Sequence, residues 1–276
     1  SEISILYCYN SWCIEGCTDS NATNYNADAN VDDENCIYDH DEDLIAYYPF
    51  DVVYNEPSDY YGGTGADGIV VGTEGHKAGV NGSVDFEYLD SEYIDGFDLS
   101  GLSAFTIATW IKPETINNGI NGIIWGIQSS KRCLLQIIKE NGSIQTECHI
   151  GDIQYIISAQ GEVTEGNWHW TVIKYNGSHL QIFIDNSQVG SHGSVSGNVD
   201  NMGNIFIGAQ NNGSEAGSYY DGLIDEVVVY NRSLNTTEMT ELYNSGFGKR
   251  ADEASFTDYI YYNDMDALID ITGNGN

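Results

Sequence analysis

Forty-two acidic side chains, six cysteines and six histidines are the groups with which this sequence could do chemistry. Cleaving a glycosidic bond takes two carboxyl groups on one surface, about 5 to 10 Å apart. No Glu-x-Asp-x-x-Glu run that would set such a pair on one strand face is present. In LIDEVVVY the acids Asp225 and Glu226 are adjacent, and alternation along a strand predicts that they project to opposite faces. The histidines are scattered, and His169, between Trp168 and Trp170, reads as a packing or surface residue rather than a base. No Ser/His/Asp order, CxxC pair or phosphate loop stands out, and the glycine-rich YYGGTGADG at 60–68 does not precede a helix. The pattern predicts a protein that is not an enzyme.

Binding chemistry is better represented. Asp19, Asn24, Asn26, Asp28, Asp32 and Asp33 form an oxygen-rich stretch that could hold Ca²⁺, although it lacks the EF-hand spacing with its terminal Glu. A hydrated loop of Asx turns fits it equally well. Tyr60, Tyr61, Tyr219 and Tyr220 fall in predicted loops and are candidate contacts for sugars or proteins, whereas Trp110 and Trp125 fall in strands and are predicted core. Cys133 and Cys148 flank KENGS in CLLQIIKENGSIQTEC. They oppose each other if a hairpin turns at Glu140 and Asn141, which predicts a disulfide between them. Cys8 and Cys13 are expected to pair in the same way, with Cys8–Cys17 as the alternative.

A formal charge of −33 would repel phosphate backbones and anionic lipid, so nucleic acid is excluded as a partner. No apolar run reaches the roughly 18 residues of a transmembrane helix, which predicts neither membrane insertion nor an uncleaved signal. Six cysteines, few lysines and sequons at Asn21, Asn81, Asn141, Asn176, Asn212, Asn231 and Asn235 point to an extracellular or cell-surface location, with those asparagines as candidate glycosylation sites.

These groups must be positioned by strands. Helix formers are scarce, and Gly, Asn, Ser, Tyr and Ile are plentiful. Strand patterns recur at 44–50, 83–94, 105–111, 120–127, 134–139, 144–150, 154–158, 168–175, 180–185, 204–209 and 223–230. About a dozen strands in some 200 residues predict an all-β, two-sheet sandwich, because one open sheet of that size would curl or split. A single short helix is predicted at 235–243, with Met239, Leu242 and Tyr243 on one side. Residues 1–43 read as a small disulfide-stapled, acidic module and linker, 44–246 as the sandwich, and 247–276 as a strand-like tail.

Four segments carry a resemblance: LIAYYPFD at 44–51, SVDFEYLDSEYIDGFDLSGLSAFTIATWIKP at 83–113, NWHWTVIKYNGSHLQIFIDNSQVGS at 167–191, and IFIGAQ with YYDGLIDEVVVYNRSLNTTEMTELYN at 205–244. Together they resemble the laminin-G-like, concanavalin-A-like jelly roll over about 200 residues. The resemblance implies two curved sheets, a glycan- or protein-binding role and, in many members, a structural Ca²⁺. Its ligands would be Asp51 and Asp225, with Glu226 as neighbour; DVVYNEPSDYYGG replaces the usual Gly/Asn-rich loop after the first strand. GCTDSNATNYNADANVDDENC resembles a short repeat of secreted and surface proteins, which implies a Cys17–Cys36 pair.

The expected function is a non-catalytic structural or adhesive subunit of a surface layer, adhesin or filament, bound to other copies of itself, surface proteins or glycans. A calcium-dependent carbohydrate-binding module is the alternative, and an accessory domain of a glycoside hydrolase a second one.

Overall fold

A computed structural model describes residues 14–18, 25–32, 43–48, 50, 70–71, 82–87, 93–116, 121–128, 130–137, 142–159, 163–211, 216–251 and 254–256. Near the N-terminus, β1 (Glu15–Gly16) and β2 (Val31–Asp32) pair in parallel. The sandwich opens with β3 (Leu44–Tyr48), β4 (Val70–Val71), β5 (Val84–Phe86), β6 (Ile94–Phe97) and β7 (Phe105–Pro113). It continues through β8 (Asn121–Gln128), β9 (Lys131–Ile137), β10 (Ile144–Ile150), β11 (Ile153–Ala159) and β12 (His169–Tyr175). It closes with β13 (His179–Ile184), β14 (Ser187–Gly193), β15 (Ile205–Ile207), β16 (Gln210–Asn211), β17 (Ala216–Gly217) and β18 (Gly222–Tyr230).

Two antiparallel sheets result, as the strand count predicts. One runs β11-β10-β9-β8-β15-β6 and the other β14-β13-β12-β7-β18-β5-β4, with β3 also paired to β18. The first strand thus lies against the last. Between the sheets sits the main core, with Val84, Phe86, Ile107, Ile111, Ile224 and Val229 from one side and Ile124, Leu135, Ile144 and Ile207 from the other.

Residues that alternate with these on β7, β12 and β18 build a second layer outside the eight-stranded sheet. Ala108, Trp110, Trp170, Val172, Val228 and Tyr230 meet Met239 and Leu242 of α1 (Thr236–Tyr243) there. Asn235 caps α1 with its side chain, and Glu238 bonds back to the Asn235 N–H, completing a capping box. Trp110 and Trp125 are both buried, Trp110 in this outer layer rather than between the sheets. Part of the predicted tail also joins this layer, since Ala251 and Ala254 are buried in it.

The Cys133–Cys148 disulfide forms between residues directly opposite each other in the β9–β10 hairpin. Cys17 is disulfide-bonded as well. Cys8, Cys13 and Cys36 lie outside the described residues, and so do the pairings expected of them.

Candidate functional site

The outer face of the eight-stranded sheet is apolar under α1 and acidic beyond it. Asp85 stands between the fully buried Val84 and Phe86 on β5, so alternation turns it outward, and Glu87 follows on the same face. On β7 the core residue Ile111 fixes the phase of Lys112 and Glu114, which also face out. Strand β18 joins these two strands, for Leu223 is opposite both Asp85 and Lys112, and Glu114 N–H donates to Asp221 O at 3.0 Å. One carboxylate oxygen each from Asp85, Glu87 and Glu114 lies within 4.8 Å of the other two. Asp85 is half-buried and the two glutamates are exposed. Three hard oxygen donors so spaced could hold a cation such as Ca²⁺, which takes six to eight oxygens.

Asp225 and Glu226 lie farther along the same face, and here the expectation of opposite projection fails. A bulge between Asp225 and Val228 interrupts the pairing with β7, and Glu226 takes a positive φ of 50°. Alternation therefore breaks at this point. Both acids are buried, at 1% and 6% exposure. Glu226 N–H donates to Asp225 Oδ1 at 2.9 Å, and Tyr47 from the outer layer donates its hydroxyl to Glu226 Oε2 at 2.6 Å. Asp51, the third ligand implied by the resemblance, lies outside the described residues, as do Asp19 and Asp33. The Asp32 backbone belongs to β2. Asp28 is exposed, and its N–H donates to Asn26 Oδ1 at 3.0 Å, an Asx turn.

Of the four loop tyrosines, Tyr60 and Tyr61 are outside the described residues and Tyr219 is half-buried. Tyr220 corrects its expectation. Two residues ahead of Gly222 and in phase with Ile224, it enters the main core, its N–H bonded to Gly208 O, and burial pushes its phenol well above the ordinary range. It offers nothing to a ligand. Among the sequons, Asn176 is exposed at the β12–β13 turn, Asn231 is half-buried and Asn235 caps α1. Asn21, Asn81, Asn141 and Asn212 are outside the described residues.

His169 is more than a packing residue. Its Nδ1 lies 2.9 Å from Asp185 Oδ2, and its Nε2 lies 3.0 Å from Thr164 Oγ1, in the order hydroxyl, imidazole, carboxylate. Thr164 N–H also donates to that Nε2 at 3.1 Å, so its lone pair already holds the 164–167 turn. The turn in turn grips the loop that carries Glu114: Gly166 N–H donates to Pro113 O and Ile116 N–H to Glu165 Oε1, each at 2.7 Å.

The sequence matches the family model of the concanavalin A-like lectin/glucanases superfamily over residues 88–240, and the chain belongs to that family. A comparison with the curated proteins finds no match. Among solved structures the fold is similar to domain 4 of AbnA, a GH43 extracellular arabinanase from Geobacillus stearothermophilus, in complex with arabinotriose. The TM-score is 0.50 at 16% identity, over 72% of this chain and 97% of that one. It is also similar to the binding domain of Paraclostridial Mosquitocidal Protein 1, with TM-score 0.51 and 14% identity over 74% of this chain and 52% of the other. The botulinum neurotoxin serotype G binding domain gives 0.50 and 15%, over 72% and 50%. The match thus spans about half of each toxin chain.

Proposed function

We propose that this chain is a non-catalytic, extracellular glycan-binding module in which Asp85, Glu87 and Glu114 hold a calcium ion. The convergence of those three carboxylates on an open sheet face carries the reading. A calcium ion fixed there would offer its open positions to vicinal sugar hydroxyls, which suit a hard cation. Fold class supports a glycan ligand, since the arabinanase domain of the same fold holds arabinotriose. The disulfide-bonded Cys17, Cys133 and Cys148 fit an oxidising compartment. No helix of the described residues is long and apolar enough to cross a membrane. Asn176, exposed at a hairpin turn, is the sequon best placed to carry a glycan of its own.

Calorimetric titration with Ca²⁺, followed by a glycan array with and without chelator, tests this. Glu114→Gln should weaken both calcium and glycan binding. Glycan binding that survives chelation would remove the metal from the mechanism, and calcium binding without any glycan ligand would leave a structural ion only. The adhesive or filament-forming role is expected of the strand-like segments at 1–7 and 256–271, of which only Phe256 is among the described residues.

A further inference from the structure

We infer that the outer face of the six-stranded sheet carries a site for the acetamido group of an N-acetylated sugar, built around Trp125 and Gln136. Ile124 on β8 and Leu135 on β9 belong to the main core, so Trp125, Leu134 and Gln136 beside them project to the other side of the sheet. Leu134 is directly opposite Trp125, and Gln136 is the diagonal neighbour of Trp125, about 7 Å away in regular strand geometry. Both side chains are buried, at 3% and 4% exposure. Among the described residues, however, the Trp125 indole nitrogen and Gln136 Oε1 have no hydrogen-bond partner. Gln136 Nε2 donates to Gln145 Oε1 at 2.6 Å, and Gln145 Nε2 to Ser158 Oγ at 3.0 Å, which leaves the Gln136 carbonyl as the open end of a relay across three strands. Buried polar atoms are seldom left in this way, and a donor and an acceptor unpaired on one face call for a ligand that carries the complement of both.

The count of donors and acceptors selects the ligand. A carboxylate would be met by the indole N–H but repelled by Gln136 Oε1, and an ammonium group would meet the reverse. Charged side chains on the same face are engaged with each other, for Arg132 Nε lies 3.0 Å from Glu147 Oε1, which also accepts from Gln154. The ligand group is therefore neutral. A sugar hydroxyl brings a donor and an acceptor of its own, so a buried pair of hydroxyls would leave half of its valences unmet. A peptide strand brings a further amide with every residue. One secondary amide has one N–H and one C=O, the complement that this face lacks, and the methyl of an acetamido group adds an apolar end that suits the buried Leu134.

Neighbouring elements wall the site and give it a margin. The residue opposite Gln136 on β8 is Gly122, and a Cβ there would come within 3.0 Å of Ser218 O and 3.1 Å of Gln210 N, so the β16–β17 hairpin closes that end. Phe206 on β15 stands opposite Trp125 on the other side, its ring stacked on Tyr93 with centroids 4.4 Å apart. Both rings are half-buried. They form the edge at which the apolar face of a sugar ring can rest while its acetamido group reaches inward to Trp125 and Gln136. This face lies across the sandwich from Asp85, Glu87 and Glu114 and needs no metal. The inference rests on the glycan reading only for the class of its ligand, and it names which sugars in that class are held.

NMR titration of the full chain in the presence of chelator tests it, with N-acetylglucosamine, N-acetylgalactosamine, their parents glucose and galactose, and N-acetylglycinamide as probes. The N-acetylated sugars should bind, and the parent sugars should bind at least about tenfold more weakly because they leave the buried pair unmet. Trp125→Phe keeps an aromatic ring without the N–H, and Gln136→Leu keeps the bulk without the acceptor. Each should bring the N-acetylated sugar down to the affinity of its parent, and thermal melts check that both variants fold. N-acetylated sugars that do not bind or bind no better than their parents, variants that keep the preference, or N-acetylglycinamide bound as tightly as the sugars would overturn the inference. Calcium-dependent glycan binding at the other face is read separately, since chelator abolishes it and leaves this site untouched.

Discussion

The Tyr47 hydroxyl donates to Glu226 Oε2 across 2.6 Å, joining β3 to β18, the first and last strands of the sandwich. Both residues are buried. The link does mechanically what a structural metal at Asp51, Asp225 and Glu226 would do. Tyr47→Phe deletes one hydroxyl and leaves a buried carboxylate oxygen short of a donor, which costs about 1–3 kcal/mol. For a domain of this size that lowers the melting temperature by roughly 2–4 °C per kcal/mol. Thermal melts of the two proteins measure it, and equal midpoints would show that Glu226 has other donors in reserve.

The Cys133–Cys148 bond closes a hairpin with a sequence separation of 15. On the chain-entropy account, removing such a cross-link costs about 3 kcal/mol. A Cys133→Ala, Cys148→Ala double variant should lose that much in urea unfolding, and the wild type should lose at least as much under reductant, which also opens the bond of Cys17. Stability equal to the wild type would mean that the unfolded hairpin is already compact.

How far sequence reaches is clear from two carboxylate sets. Asp225 and Glu226 could be singled out because they stand next to each other in an apolar strand, but the bulge that turns both toward the outer layer leaves no mark in LIDEVVVY. The set Asp85, Glu87 and Glu114 was half legible. Asp85 and Glu87 alternate in SVDFE and must share a face, whereas Glu114 reaches them only because β18 pairs with both β5 and β7. That register is a long-range property. Local signals fared better: Asn235 before the apolar side of α1, and an opposed cysteine pair around a turn, are decided within a few residues. Tyr220 was misplaced because its loop neighbours concealed that it continues the inward phase of β18.

Acid should reveal the clasp that holds Lys249 and Ser255 to Glu241 of α1. Burial pushes the Glu241 carboxyl up, but hydrogen bonds from Lys249 Nζ, Ser255 Oγ and Ser255 N–H outweigh it and hold the group at about 2, against an ordinary 4.5. A folded value below the unfolded one means that the native state binds fewer protons between the two. The clasp's stabilisation is therefore complete above pH 4.5 and is lost as pH falls toward 2. Partial exposure screens the pair and keeps its share of total stability modest. Glu241→Gln should flatten the stability profile in that window and leave the slope above it unchanged, as measured by urea melts across pH. An identical profile in both proteins would place the acid sensitivity elsewhere among the carboxylates.

The last expectation couples His169 to the proposed calcium site without contact between them. His169 Nε2 accepts the Thr164 N–H, and the turn so held fixes both sides of Glu114 through Pro113 O and the Ile116 N–H. His169→Ala frees the turn but removes no carboxylate, so calcium affinity should drop several-fold, by about 1 kcal/mol, as one ligand loses its fixed position. Glu165→Gln keeps an oxygen that can accept from Ile116 and should therefore have a smaller effect. Thr164→Val deletes the hydroxyl yet retains the backbone donor, and should leave the affinity where it was. Calorimetric titration of the three variants with Ca²⁺ ranks them; if Thr164→Val falls as far as His169→Ala, the hydroxyl rather than the backbone N–H is what holds the turn.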